Sequence, residues 1–156
     1  MAGLLGVLKS VPLAFLHEGM LVRGGLASER HFKSNSITYS HALALAPQVE
    51  SPLAVYPRIV IDKNVVETQK TNNIWPAVAR THLVCERNGL HFLNVLDVTN
   101  WSQVYASAKA IYARDRDSLI GKENEFLKHV WFENYLFASP HAEADADHHR
   151  TCPASD

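Results

Sequence analysis

Apolar positions at Leu4, Leu5, Val7, Leu8, Val11, Leu13, Ala14 and Leu16 recur at helical spacing, and predict a core-facing helix that Gly19 ends. MLVRGGLA, residues 20–27, reads as a strand whose paired glycines mark close approach of another backbone or a ligand. Residues 28–36 are polar and predict a loop before a short strand at 37–39. Ser40 is placed to cap a helix over HALALAPQVES, residues 41–51, which Pro47 is expected to kink or shorten. VYPRIVID, residues 55–62, has the β-branched density of a strand, with Pro57 at its entrance and Asp62 as the cap of a following helix. THLVCER and LHFLNVL flank Asn88-Gly89, the strongest short hairpin signal in the chain. Trp101, Val104, Tyr105, Ala108, Ile111 and Tyr112 form one helical stripe, and Phe126, Leu127, Val130, Trp131 and Leu136 a second. From 138 to 156 large apolar residues are absent, which predicts a disordered tail.

At 156 residues and 47% hydrophobic, the chain has length and apolar content for one domain with a real core, spanning 1–137 before the tail. Fifteen Lys and Arg against sixteen Asp and Glu leave a net charge of −1 with no long block of either sign, so no nucleic-acid partner is expected. Lys9, Pro12, His17 and Glu18 interrupt the apolar start, which argues against a signal peptide or a membrane anchor. Two cysteines, Cys85 and Cys152, make no disulfide framework and fit a cytoplasmic setting.

The order of segments resembles a bacterial branch of the class III nucleotidyl cyclases. Arg23-Gly24-Gly25, Tyr39-Ser40-His41-Ala42, Val49-Glu50-Ser51 and Tyr56-Pro57-Arg58-Ile59 are similar to that family's Arg-Gly-Gly strand, its Phe-Gly-Pro-Ala helix ending Leu-Glu-Ser, and its Tyr-Pro-Arg-Ile strand. NGLHFLNVL and KHVWFENYL resemble its later hairpin and closing helix. The resemblance implies an α+β fold, a partial ferredoxin-like domain with an antiparallel or mixed sheet and packed helices. It also implies conversion of a nucleoside triphosphate to a 3′,5′-cyclic monophosphate and pyrophosphate, a phosphorus-oxygen lyase reaction. Two Mg or Mn ions held by two aspartates would serve that reaction, in a site formed between two chains.

This sequence departs from the pattern. No aspartate precedes Asp62, and Glu18 and Glu29 fall in the wrong elements, so a metal site would need aspartates from a partner or from a segment before Met1. Ala44 and Gln48 stand at the positions matching the family's ribose-positioning Asn and phosphate-stabilising Arg, Glu29 stands where a glycine is usual, and Ser40 replaces the Phe-Gly glycine. The expectation is therefore a truncated or degenerate cyclase-like domain, inactive alone, that serves as a nucleotide-binding or regulatory subunit and pairs with itself or with an intact cyclase-like chain. The alternatives are a subunit or fragment of an active cyclase, and a non-catalytic protein-interaction module.

Candidate nucleotide-binding residues are Arg23, Gly24, Gly25, Glu50 and Arg58, with no catalytic or metal-ligating residue assigned. Arg58 is suited to bidentate contact with a phosphate or with an acidic neighbour such as Glu50. Without an upstream strand, both the 20–27 and 55–62 strands are expected to expose an edge that something must cover. Asp147, His148, His149 and Cys152 lack the supporting groups a metal site needs. His41 near Glu50, and Cys85 with His82 or His91, lack a third orienting group for acid-base or thiol chemistry.

Overall fold

The structure is a computed structural model, which describes residues 2–29, 31–33 and 38–142. The protein is α+β, and by backbone contacts it divides into two compact units. The first is built from Met1–Ser10 and Val22–Asn94, the second from Val11–Leu21 and the chain from Val95 onward.

Helix α1 (Ala2–His17) runs as the apolar spacing predicts. It closes in a Schellman turn: Met20 N donates to Phe15 O at 2.9 Å and Gly19 N to Leu16 O at 3.0 Å. Gly19 adopts φ +77°, which lets the chain reverse there without a Cβ penalty.

The first unit holds a four-stranded mixed sheet in the order β1 (Gly24–Leu26), β4 (Ile59–Ile61), β6 (Leu90–Leu93), β5 (Val84–Arg87). Strands β1 and β4 are parallel with Gly25 opposite Val60; β4 and β6 are antiparallel with Val60 opposite Phe92. The expected strand edges are therefore half corrected. β1 lies at the sheet's edge, whereas β4 is interior because the hairpin strand β6 pairs with its other side.

Asn88 and Gly89 turn that hairpin with φ of 52° and 72°, both left-handed, as a two-residue type I′ turn requires. A separate two-stranded ladder joins β3 (Thr38–Ser40), which overlaps the short strand expected at 37–39, to β2 (His31–Lys33), where the polar character of 28–36 predicts only loop. Backbone pairing needs no apolar side chain, so hydropathy gives no sign of β2.

Strand alternation gives the sheet two distinct faces. Gly25, Val60, Phe92 and Cys85 align across one, and helix α2 (His41–Leu53) packs on it, burying Val49 and Ala54 with Val60. Ile61, Leu26 and Leu93 lie on the other, in a core with Leu5 of α1, Val65 and Val66 of α3 (Lys63–Thr71), and Val78 of α4 (Trp75–Ala79). Asp62 caps α3, accepting from Asn64 N at 2.7 Å.

Of the two outcomes expected of Pro47, helix α2 corrects the short element. It runs thirteen residues with Pro47 and Pro52 inside, and its packing on β1 and β4 offsets the backbone bonds the prolines cannot make. Ser40 sits at its N-cap but makes no side-chain capping bond. Helix α4, with Pro76 in its first turn, is a further element, too short for apolar spacing to predict.

In the second unit, α5 (Trp101–Asp115) and α6 (Glu123–Phe137) pack together. Trp101, Val104, Ala108 and Ile111 are buried, as the first stripe predicts. Trp101 donates from Nε1 to Leu136 O at 3.0 Å, and Tyr135 Oη accepts from Val95 N at 3.0 Å. On α6 Trp131 and Leu136 are buried as the second stripe predicts, whereas Leu127 is exposed and His129, Phe132 and Glu133 are buried beside them. The tail expected from 138 falls, from 143 onward, outside the described residues, as do Ile37 and the Asp147, His148, His149, Cys152 group.

Candidate functional site

The RGG segment, helix α2 and the Tyr-Pro-Arg segment meet at one corner of the sheet. Gly25 makes the contact. A Cβ there would lie 2.5 Å from Ala46 O, 3.0 Å from Glu50 N and 3.2 Å from Val49 Cβ, so only a residue without a side chain lets α2 settle this close. Gly24 sits in the opposite register, its open position turned toward Ile59 at 3.6 Å, and its N–H donates to Arg58 O at 3.1 Å. The approach predicted from the paired glycines is thus made by helix backbone.

Arg23 and Glu50 form an ion pair at 2.5 Å between Nε and Oε1, tying the start of β1 to α2. The Arg23 side chain is 47% exposed and Glu50 26% exposed, so the pair is screened by water on one side.

Arg58 serves the same helix from the next strand. Its Nη2 donates to Leu53 O, the last residue of α2, at 3.1 Å. A guanidinium at that position satisfies a carbonyl that the helix itself leaves open and opposes the negative end of its dipole. The group also lies 5.4 Å from the Phe92 ring centroid and 5.7 Å from that of Tyr56, within cation–π range of both. Burial pulls its pKa below the ordinary arginine value; Tyr56 opposes the drop and Arg87 adds to it. Arginine keeps its charge throughout the physiological range regardless.

All five predicted residues therefore fall in one unit and around one helix-strand contact. The partner of Arg23 is the relationship sequence reasoning missed, since Glu50 was matched with Arg58. Strand parity carries the signal: Arg23 shares the sheet face of Gly25, where the α2 turn containing Glu50 must lie.

The other weighed groups separate. Cys85 pairs across the hairpin with Phe92 whereas His91 pairs with Glu86, which sets the thiol and the imidazole on opposite faces. Burial raises the Cys85 pKa, away from a reactive thiolate. His91 Nε2 stands 3.4 Å from Glu86 Oε2 and its ring meets Trp75 edge-on at 5.3 Å. His82 O accepts from Asn94 Nδ2 at 2.8 Å. His41 Nδ1 lies 4.0 Å from Glu29 Oε2, both partly exposed. Among the described residues, no group of three or more His, Cys, Asp or Glu is placed to hold a metal ion.

The second unit carries a small cleft of about 80 Å³ lined by Leu13, Leu16, His17, Asn100, Gln103, Val104 and Ser107. Sites for drug-sized ligands run from ~300 Å³ upward, so this one admits only a few atoms. Asn100 is also committed to the backbone, accepting from Asp97 N and donating to Val95 O, each at 2.8 Å.

No protein-family model, curated protein or solved structure matches the chain. Among the described residues no helix is long and apolar enough to cross a membrane.

Proposed function

We propose that the chain is a divergent nucleotidyl-cyclase-like domain that acts as a non-catalytic regulatory subunit. The observation that carries this reading is the use made of its two candidate phosphate-binding arginines. Arg23 is paired with Glu50, and Arg58 with the C-terminal carbonyl of α2 and two aromatic rings, so both guanidiniums hold α2 on the sheet. Ala44 and Gln48 on the same helix offer neither the amide nor the guanidinium that cyclisation would draw from it.

The experiment is incubation of the full chain with each of the four common nucleoside triphosphates and Mn²⁺, with mass spectrometry for cyclic nucleotide. No product is expected. Formation of any 3′,5′-cyclic monophosphate by the purified chain overturns the proposal.

The half-exposed position of Arg23 favours a second reading, a nucleoside triphosphate held at the same corner without turnover. A phosphate there must displace Glu50. Thermal stabilisation by a triphosphate, lost in R23A and strengthened in E50Q, is the result this reading requires.

A further inference from the structure

We propose that Asn88, in the β5–β6 turn, is a site of spontaneous covalent modification, at which the side-chain amide is lost and the main chain is rerouted through the side chain as isoaspartate.

The chemistry needs only water. The Gly89 amide nitrogen attacks Cγ of Asn88; a C–N bond forms to the ring nitrogen, the bond from Cγ to the side-chain nitrogen breaks, and ammonia leaves with the Gly89 proton. The product is a five-membered cyclic imide. Water then adds to one of its two carbonyls. Opening at Cγ gives aspartate in the ordinary chain, whereas opening at the main-chain carbonyl leaves Gly89 N attached to Cγ and frees the other carboxylate, which is isoaspartate. Water enters, ammonia leaves, and nothing is oxidised or reduced.

The fold selects Asn88 from the other described asparagines through the amide that follows each of them. An N–H held in a hydrogen bond keeps both its proton and its position, so it attacks only after that bond opens. After Asn64, Val65 N donates to Asp62 O at 3.0 Å; after Asn72, Asn73 N donates to Lys70 O at 2.9 Å; after Asn73, Ile74 N donates to Gln69 O at 2.9 Å. After Asn94, Val95 N donates to Tyr135 Oη at 3.0 Å, and after Asn100, Trp101 N donates to Asp97 O at 3.1 Å. Asn124 is held in helical geometry in the first turn of α6, and Asn134 lies inside that helix.

The Gly89 amide differs. Arg87 and Leu90 are the pair that closes the hairpin, so the ladder passes both turn residues by. Among the described residues, the Gly89 N–H has no acceptor. Asn88 and Gly89 are both exposed, and a Cβ built on Gly89 meets nothing within 4 Å, which leaves room for the ring to close. No side chain on Gly89 shields its nitrogen.

The two ring-opening products act differently on the sheet. Asp-Gly makes the same two-residue turn as Asn-Gly, so aspartate adds a charge and keeps the hairpin. Isoaspartate puts Cβ into the main chain and lengthens the loop, which upsets the register of Arg87 with Leu90 and of Glu86 with His91. Because β6 also pairs with β4, that fault passes to the interior of the sheet.

The test is prolonged incubation of the full chain in mildly alkaline buffer, with peptide mapping by mass spectrometry and methyl transfer by an isoaspartate-specific methyltransferase. N88D and N88G are carried alongside. Asn88 is expected to lose its amide at least ~10-fold faster than any other described asparagine, the factor that one retained hydrogen bond supplies. The isoaspartate form of the aged wild type is expected to unfold at lower urea than fresh protein, N88D to unfold with fresh wild type, and N88G to form no isoaspartate at this turn. Loss at Asn88 no faster than at Asn94 overturns the proposal, as does formation of aspartate without isoaspartate. An isoaspartate form as stable as fresh protein overturns its effect on the sheet.

Discussion

Arg23 Nε and Glu50 Oε1 lie 2.5 Å apart, joining the entrance of the sheet's edge strand to the last turn of the helix that covers it. The pair sits at the sheet's edge strand, where side-chain links do work that neighbouring strands do elsewhere. Because Arg23 is about half exposed, much of the Coulomb attraction is screened. A double-mutant cycle of R23A and E50Q, read by urea denaturation, is expected to give a coupling of about 0.5 kcal/mol that shrinks as salt rises. A salt-independent coupling above ~2 kcal/mol would show a desolvated pair and remove the case for exchange with phosphate.

The Gly25 contact predicts a larger effect from a smaller change. G25A places a methyl group 2.5 Å from the Ala46 carbonyl oxygen, and backbone on both sides leaves no flexible neighbour to yield. A loss of about 3 kcal/mol is expected, lowering Tm by on the order of 10 °C. G89A is the comparison: its Cβ meets open space, but φ is +72°, so it carries conformational cost alone, about 1 kcal/mol. Equal losses in the two variants would show that α2 moves aside.

At the head of α3, the Asp62 carboxylate accepts from Asn64 N and is 92% removed from solvent at the residue level, its relative exposure being 8%. D62A is expected to cost about 1 kcal/mol in chemical denaturation, whereas D62N, which still presents an oxygen acceptor, recovers most of it. Failure of D62N to recover would mean that the carboxylate's charge matters more than its cap.

His129 ties the second unit to pH. Burial lowers its pKa below the ordinary 6.5, Asp115 opposes the shift, and Arg114 and Lys128 add to it. Tyr112 faces the ring across 5.6 Å. The unfolded chain therefore takes up this proton more readily than the folded one. The stability it contributes is complete above pH 6.5 and is lost as pH falls through the lower folded value. Denaturation midpoints at pH 7.5 and 5.0 are expected to differ less in H129F than in wild type. An identical pH dependence would locate the titration elsewhere.

Much of the scaffold was legible because its signals are local. Gly19 ends α1, Asp62 caps α3 and Asn88-Gly89 turns the hairpin through chemistry contained within a few residues. Tertiary packing decided the rest. Helix α2 passes through two prolines because the sheet holds it, and α6 buries His129 and Glu133 where Leu127 continues the apolar period. At the candidate site, the five residues were legible as types, but their pairing depended on which sheet face α2 covers, a relationship that spacing along the chain does not contain.

The hairpin turn also has a kinetic consequence. Strands β5 and β6 meet across two residues, whereas Gly24 and Ile59 close a loop of about 35 residues, which costs more chain entropy and forms more slowly. Folding of the first unit is therefore expected to begin at Asn88-Gly89, and amide hydrogens of the edge strand β1 are expected to exchange with solvent before those of the interior strand β6.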